Sequence, residues 1–274
     1  MDDDCYLERL GLARADVEAR DHDALERLQR AYVRAVPFEN LSIADDPVGE
    51  ASEWAGERER AGVSLDLEDR YRKIVERGRG GFCYELNGLF GWLLAELGFE
   101  TERLAARVLD DDGRARPPAN HHTNAVTLDR RYVVDVGVAV PAIRQPLPLD
   151  GGVREDEAGV AWRVVGSERP DADYCVEFRN PGEDWKKRYV FRDRPVELEF
   201  FRASCEFLAT APESPFTGEP FVTIATERGH KKLEPGTLTV TEGGETRERP
   251  VDSREWHDVL ERKFGLASRG GDEQ

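Results

Sequence analysis

Three kinds of residue that can work together as a nucleophile, a base and an acid occur in this 274-residue chain. Cys83 follows a basic, glycine-rich turn, and two adjacent histidines, His121 and His122, open a predicted strand further along. Asp135 lies inside an apolar run that we predict to be the neighbouring strand. A thiol, an imidazole and a carboxylate that fixes the imidazole tautomer are the parts of a cysteine–histidine–carboxylate triad.

The residues after Cys83 have the spacing of a helix, which places the cysteine in its first turn. Apolar side chains recur at every third or fourth position, and Gly98 is placed to end the helix; they are Leu86, Leu89, Phe90, Leu93, Leu94 and Leu97. A thiol there faces the positive end of the helix dipole, which lowers its pKa, and the preceding glycines leave room for a substrate. A buried cysteine that merely fills a helix–loop junction is the structural alternative.

The two histidines compete for Asp135. The segments on either side of Asp129-Arg130 alternate like the strands of a hairpin, and a carboxylate buried between them needs a partner. A two-residue turn brings Asp135 to face His122, whereas a three-residue turn or a bulge brings it to face His121. Hairpin geometry alone therefore leaves both histidines as candidate partners of Asp135.

The remaining pattern predicts helices first, then strands, then a mixed end, which indicates an α+β fold. The helices are predicted at residues 6–36, with Asp21 or Asp23 as a cap and a stop at Pro37, and at 65–76, 195–207 and 252–264. The strands are predicted at 101–109, 159–165, 174–179, 185–191, 221–226 and 233–240, and residues 45–62 are predicted to be a surface loop.

Composition narrows the class of partner. The net charge of −17 and the sequence pI of about 4.9 argue against nucleic acid, because phosphate backbones favour clustered basic charge. Six of the 39 basic residues are lysines, and the acids are dispersed, a composition that resembles the cytosolic proteins of salt-loving organisms. Salt at molar concentration screens such self-repulsion.

The sequence lacks the patterns typical of membrane spans, secretion signals, disulfide frames, metal sites and P-loops. No apolar window approaches the length of a membrane span, and no signal-type apolar run begins the chain, so we expect a cytoplasmic protein. The four cysteines form no CxxC pair, and no third ligand stands near the histidines, so we expect neither a disulfide frame nor a metal. The glycine-rich turn lacks the lysine and hydroxyl residue of a phosphate-binding P-loop.

Several segments match one family. The run Arg79-Gly80-Gly81-Phe82-Cys83-Tyr84-Glu85-Leu86-Asn87 resembles the signature of arylamine N-acetyltransferases, which reads Arg-Gly-Gly-aromatic-Cys-x-(Glu/Gln)-x-Asn. The opening at residues 6–12, the Val36-Pro37-Phe38-Glu39-Asn40-Leu41 segment, the strand from His121 to Asp135-Val136-Gly137 and the closing helix agree with the family in order and spacing. The resemblance covers nearly the whole chain.

The resemblance implies a three-part fold with a cysteine-protease-like core. Residues 1–100 would form a helical bundle that carries the nucleophile, residues 101–195 a β-barrel that carries the histidine and aspartate, and residues 196–274 an α/β lid. It also implies transfer of an acetyl group from acetyl-CoA, the acyl-donor substrate, to an arylamine, arylhydrazine or N-hydroxyarylamine by a ping-pong mechanism.

The family's residues are carried over by position. Cys83 becomes the nucleophile, Asp135 the orienting acid, and His121 the base, since alignment of the following strand favours it over His122. Phe38 and Val138 become substrate-binding residues, with Val138 standing where the family usually has an aromatic side chain, which changes the acceptor pocket.

One further expectation, about contacts near the cysteine turn, accompanies the resemblance. Glu39 should pair with Arg9, Arg79 or both, so that the cysteine turn is held against the first helix. Two alternative functions also remain: a thiol hydrolase or transglutaminase-like enzyme with the same constellation, and a catalytically inactive binding scaffold of the same fold.

Overall fold

The computed structural model of the chain describes residues 1–44, 63–110 and 112–266. The loop predicted at 45–62 lies outside the described residues. The α-helices are α1 Asp3–Arg9, α2 His22–Ala35, α3 Leu67–Tyr71, α4 Cys83–Glu96, α5 Arg202–Thr210 and α6 Trp256–Phe264. Short 3₁₀ or π-helical turns lie between these helices or next to them, at Arg14–Asp16, Arg72–Glu76, Leu198–Phe201 and Ser253–Glu255. Within the described ranges, none of the helices has the length and apolarity needed to cross a bilayer.

Local sequence signals set the ends of α2, as predicted. The Asp21 carboxylate accepts a hydrogen bond from the Ala24 N–H at 2.9 Å and so caps the free donors of the first turn. The helix ends at Ala35, and Val36 is extended, because the proline that follows disfavours a helical residue before it.

Helix α4 is the central element of the molecule. It runs from Cys83 to Glu96, and Gly98, in the left-handed region with φ of 87°, turns the chain out of it. Nearly every residue of its first three turns is buried, since helices pack on one side and the sheet on the other. Close approach is possible at Gly91, where a Cβ would stand 2.9 Å from the Asn124 side-chain oxygen.

Eight strands form one antiparallel sheet whose order is β5-β4-β3-β2-β9-β8-β7-β6. Because β5 at one end contacts β7 near the other, the sheet curls into a nearly closed barrel. Its strands are β2 Glu100–Val108, β3 His121–Thr127, β4 Arg131–Val134, β5 Leu147–Pro148, β6 Val153–Glu155, β7 Ala161–Gly166, β8 Tyr174–Arg179 and β9 Lys186–Pro195.

The hairpin between β3 and β4 has a three-residue connection. Thr127 pairs with Arg131, and the Leu128 N–H donates to the Arg130 carbonyl at 2.9 Å. The same register continued past β4 sets Asp135 opposite residue 123 of β3. His121 is then its diagonal neighbour on the same face, and His122 points to the other face.

A second antiparallel sheet of five strands has the order β1-β10-β11-β12-β13. Its edge strand, β1 Phe38–Glu39, comes from the N-terminal region and pairs with β10, which joins the helical bundle to the lid. The others are β10 Val222–Ala225, β11 Gly229–Glu234, β12 Thr237–Glu242 and β13 Glu245–Pro250.

Two predictions in the lid were wrong. The strand expected at 233–240 is two strands, because the chain reverses at Gly236, which has a positive φ of 82°. The helix expected at 195–207 starts later, as α5 at Arg202–Thr210 after a 3₁₀ turn, and of its aromatic residues Phe201 is buried whereas Phe200 and Phe207 are 57% and 40% exposed. The buried side of α5 uses Cys205 and Leu208 instead.

The architecture is the predicted α+β arrangement of helical bundle, barrel and α/β lid with a C-terminal helix. The largest hydrophobic core draws on all three parts, for example Leu89 of α4, Val134 of β4 and Phe201 before α5. The division at residues 100 and 195 stays a prediction.

Candidate active site

Cys83 is the first residue of α4, and it is nearly closed off from solvent at 3% exposure. Its sulfur lies 3.9 Å from the Asn120 carbonyl. Burial raises the pKa of the thiol above its ordinary value, and the backbone N–H groups of His122 and Tyr84 oppose this without outweighing it. The prediction that the helix terminus lowers this pKa was therefore wrong, because desolvation dominates in a site this enclosed.

His121 and Asp135 form a buried pair. The His121 Nε2 lies 2.7 Å from the Asp135 Oδ2, and both side chains are shielded from solvent. Burial disfavours the Asp135 carboxylate, but the charge and hydrogen bond of His121, with bonds from Asn87 and the Gly137 N–H, outweigh it and lower its pKa to about 2. With Nε2 occupied, Nδ1 is the imidazole nitrogen left for other chemistry.

Asn87 ties the cysteine helix to the histidine–aspartate hairpin. Its Nδ2 donates to the Asp135 Oδ1 at 2.8 Å, and its Oδ1 accepts from the Val136 N–H at 2.9 Å. We assigned no role to Asn87 from the sequence. The available signal was its spacing: it stands four residues after Cys83 and so lies on the same helix face.

Gly137 lets the hairpin lie against the start of α4. Its N–H donates to the Asp135 Oδ1 at 2.9 Å, and a Cβ at this position would stand 2.8 Å from the Cys83 Cα. The glycine of the Asp-Val-Gly segment is therefore needed for close approach of two backbones.

The glycines before Cys83 serve the packing of the chain. A Cβ on Gly80 would overlap the Pro37 carbonyl, and one on Gly81 would stand 2.8 Å from the Glu85 Oε2. The Glu39 N–H also donates to the Gly81 carbonyl at 2.9 Å. The interpretation of these glycines as room for a substrate is corrected accordingly: the space is filled by Pro37 beside Gly80 and by Glu85 beside Gly81.

Charged residues beneath this turn are paired. The Glu39 Oε1 lies 3.6 Å from the Arg79 Nη2, as predicted for one of the two arginines. Arg9 instead donates to main-chain carbonyls, including that of Gly78 at 3.2 Å. A buried Glu85 accepts from Lys73 at 2.8 Å, so the turn is fixed from several sides.

His122 occupies the opposite face of β3. Its ring stacks on Phe201 with centroids 4.7 Å apart, and neither ring nitrogen has a hydrogen-bond partner within the described residues. Burial lowers its pKa well below the usual value, and the nearby charges of Arg70 and Arg103 act in the same direction. The structure therefore brings His121, and not His122, to Asp135.

The two predicted substrate-binding residues lie in different environments. Phe38 is buried in the same hydrophobic cluster as Cys83, and its ring is 6.1 Å from that of Phe216. Phe216 also packs on Phe82, with centroids 5.4 Å apart. Val138 packs in the separate core of the barrel. The aromatic wall beside the cysteine turn is thus built by Phe38, Phe82 and Phe216.

Fold and site together define an α+β protein with a buried thiol, imidazole and carboxylate gathered at the start of its central helix. A family model described as N-acetyltransferase matches residues 21–270. An arylamine N-acetyltransferase from Mycolicibacterium smegmatis is 31% identical over 274 residues, which cover 97% of this chain and 92% of the relative. Human arylamine N-acetyltransferase 1 is 30% identical over 257 residues, covering 87% and 83%.

Solved structures agree. An arylamine N-acetyltransferase from Bacillus cereus, described as having a Cys-His-Glu catalytic triad, superposes with a TM-score of 0.84 at 25% identity, covering 97% of this chain and 99% of that one. The Mycobacterium marinum enzyme in complex with CoA gives a TM-score of 0.79 at 28% identity, covering 97% and 93%. The chain belongs to the arylamine N-acetyltransferase family, and so to the acyltransferases.

Proposed function

We propose that this chain moves an acetyl group from acetyl-CoA to an arylamine, arylhydrazine or N-hydroxyarylamine, with Cys83 as the nucleophile, His121 as the base and Asp135 as the orienting acid. The names of the relatives support the acceptor class, and the CoA complex of the Mycobacterium marinum enzyme supports the donor. The observation that carries the proposal is the 2.7 Å His121–Asp135 pair, tied through Asn87 to the helix that begins at Cys83.

In the first half-reaction Cys83 attacks the thioester. Because burial disfavours an isolated thiolate, the thiol gives its proton to the Nδ1 of His121 as the sulfur attacks the acetyl carbonyl. The bond from sulfur to the acetyl carbon forms, the thioester bond of acetyl-CoA breaks, and His121 returns the proton to the departing CoA sulfur. The backbone N–H groups that face the Cys83 sulfur, those of His122 and Tyr84, are the nearby donors for the oxyanion.

In the second half-reaction the amine attacks acetyl-Cys83. The amine nitrogen forms a bond to the acetyl carbon and passes a proton to His121. The bond between the acetyl carbon and the Cys83 sulfur then breaks, and the released sulfur takes that proton back from His121. Asp135 stays ionised at neutral pH, as its low pKa requires, and stabilises the imidazolium in both steps.

The acceptor is proposed to bind against the aromatic wall beside the cysteine turn. Phe38 and Phe216 give an apolar aromatic surface in the cluster that contains Cys83, which suits an aromatic amine. Val138 is proposed to bound the pocket from the barrel side, since it follows Gly137, which touches the Cys83 backbone. A valine there, in place of an aromatic residue, favours a wider acceptor.

The setting we propose is the cytoplasm of a cell with high internal salt. The support is the net charge of −17 with few lysines. Molar KCl shortens the Debye length to about 3 Å and screens the acidic surface, so the midpoint of thermal unfolding should rise from dilute buffer to molar KCl. Full stability in dilute buffer would count against this setting.

The proposed reaction is tested by initial rates with acetyl-CoA and aniline in molar KCl. Formation of acetanilide with parallel double-reciprocal lines, abolished in Cys83→Ser, is the expected result of a ping-pong mechanism. Release of CoA and acetate with no acetanilide, across several aromatic amines and hydrazines, would instead identify a thiol hydrolase. No release of CoA at all would identify a binding scaffold.

A further inference from the structure

The segment that leads into β3 is held through its carbonyl groups. Three successive carbonyl oxygens each face a donor from another element: Ser204 Oγ to Pro118 at 2.8 Å, Tyr84 Oη to Ala119 at 2.6 Å, and Cys83 Sγ to Asn120 at 3.9 Å. Two of the three donors are consecutive residues at the start of α4. The cysteine helix therefore contacts the residues immediately before His121 as well as Asp135 beyond it.

The middle residue of this segment has an unusual backbone conformation. Ala119 has φ of +55°, and Arg20 is the other non-glycine residue with positive φ among the described ranges. In this left-handed region the alanine Cβ crowds the backbone, so an alanine stays there only when the surroundings hold it. Ala119 and Tyr84 are both buried, and the Tyr84 phenol is bonded to the carbonyl of this strained residue.

A rotation at Ala119 would be passed directly to the candidate site. The next residue, Asn120, faces the Cys83 sulfur through its carbonyl, and its side-chain oxygen accepts from the Val108 N–H at 2.9 Å. His121 follows, with Nε2 on Asp135. Since the approach of a base to a nucleophile is sensitive to shifts of about 1 Å, a relaxed residue 119 would misplace the imidazole.

We propose that Tyr84 is a positioning residue, whose hydroxyl holds Ala119 in the left-handed conformation and thereby sets His121 against Cys83. The inference rests on the proposed roles of Cys83 and His121. The aromatic ring of Tyr84 packs against Phe82 and Phe201, so the substitution Tyr84→Phe keeps that packing and removes the hydroxyl alone.

The proposal predicts that a second substitution rescues Tyr84→Phe. A role for Tyr84 in packing alone does not predict this rescue. In Tyr84→Phe, Ala119 is free to leave the left-handed region. Glycine occupies that region without a steric penalty, so Ala119→Gly in the same chain should restore the native path. The readout is the pH dependence of carbamidomethylation of Cys83 by iodoacetamide, followed by peptide mass. It is measured in a Cys5→Ser background, because Cys5 is an exposed free thiol.

We expect Tyr84→Phe to slow the reaction of Cys83 at neutral pH about tenfold, and the double variant to return to within about threefold of the parent. Tyr71→Phe is the matched control, since it also removes a phenol bond to a main-chain carbonyl, that of Asp2 at 2.8 Å. Its rate should not change. Circular dichroism and thermal unfolding establish that each variant folds.

Two results would overturn the proposal: a rate for Tyr84→Phe equal to the parent, or a double variant as slow as Tyr84→Phe. Should Tyr84→Phe fail to fold alone, Ala119→Gly is compared with the double variant; equal rates support the proposal, and a tenfold loss overturns it. Because alkylation needs no CoA, the expected pattern in a chain that forms no acetyl-cysteine would support the positioning role while contradicting acetyl transfer.

Discussion

His121 and His122 are the same residue type at adjacent positions of one buried strand, and the fold gives them opposite properties. His121 lies on the same face of the sheet as Asp135, whose Oδ2 is 2.7 Å from the His121 Nε2. His122 faces the helix side, where it stacks on Phe201 and neither ring nitrogen has a partner among the described residues. Burial alone therefore does not make a histidine useful in chemistry; a fixed partner on one nitrogen does.

The length of one turn decides which histidine has that partner. Strand side chains alternate between faces, so a connection shorter by one residue between β3 and β4 would carry Asp135 to the face of His122. The three-residue connection from Leu128 to Arg130 is closed by a 2.9 Å hydrogen bond between those two residues. The site is thus set by backbone register some distance from the reacting atoms.

The largest expected effect is the difference in acetylation rate between substitutions at the two histidines. His121→Asn removes the base and should lower the rate of Cys83 acetylation by about 10⁴-fold, the upper range for loss of a general base. His122→Asn makes the same change one residue away and should stay within about threefold of wild type. Single-turnover measurements with acetyl-CoA compare them; similar losses in both variants would contradict the assignment of His121.

Asp135→Asn tests the partner that distinguishes the histidines. It should lower the rate about 10³-fold, because an amide no longer fixes the tautomer or stabilises the imidazolium.

The same variant changes acid stability. The pKa of Asp135 falls from 3.8 to about 2 on folding; its contribution of about 2 kcal/mol is present above the unfolded value and is lost as pH falls through the folded value. The free energy of unfolding, measured in urea between pH 5 and 2, should depend less steeply on pH in Asp135→Asn than in the wild-type chain. An identical dependence in both proteins would count against an ionised, paired Asp135.

Leucine substitutions at the two histidine positions should change the free energy of unfolding in opposite directions. His121→Leu leaves a buried carboxylate without its main partner and should lower the free energy of unfolding by about 3 kcal/mol. His122→Leu removes two buried ring nitrogens that have no hydrogen-bond partner in the described part of the chain, and it should raise the free energy of unfolding by about 1 kcal/mol. Denaturant unfolding of the two variants at neutral pH measures both; a loss for His122→Leu as large as that for His121→Leu would break the contrast.

Asn87→Ala should cause a smaller loss of activity than His121→Asn or Asp135→Asn. It removes the bonds to Asp135 and to the Val136 N–H, which costs about 2 kcal/mol of stability, and should lower the acetylation rate about tenfold, since His121 keeps its own contact with Asp135. Stopped-flow acetylation and thermal unfolding measure the two effects. An activity loss as large as that of Asp135→Asn would mean that Asn87 does more than hold the hairpin.

Features that depend on local sequence could be predicted. The helix after Cys83, the Asp21 cap and the stop before Pro37 follow from periodicity and from backbone restrictions that act within a few residues. The resemblance to a family extended this to the three-part fold and to the pairing of His121 with Asp135.

Features that depend on contacts between distant parts of the chain could not be predicted from the sequence. Whether Asp135 faces His121 depended on one residue of loop length, and the raised pKa of Cys83 depends on how completely other segments cover it. The role of Gly80 required the position of Pro37, and that of Tyr84 required the backbone angle of Ala119. In the lid, the turn at Gly236 was a local signal that we missed.

The central claim is that Cys83 becomes acetylated with His121 as its base, and intact mass after brief exposure to acetyl-CoA in molar KCl tests it most directly. We expect the mass of one acetyl group on the wild-type chain and on His122→Asn within seconds, none on Cys83→Ser, and a strongly delayed adduct on His121→Asn. No adduct on the wild-type chain with any of several acyl-CoA donors, or an adduct that persists in Cys83→Ser, would contradict the account.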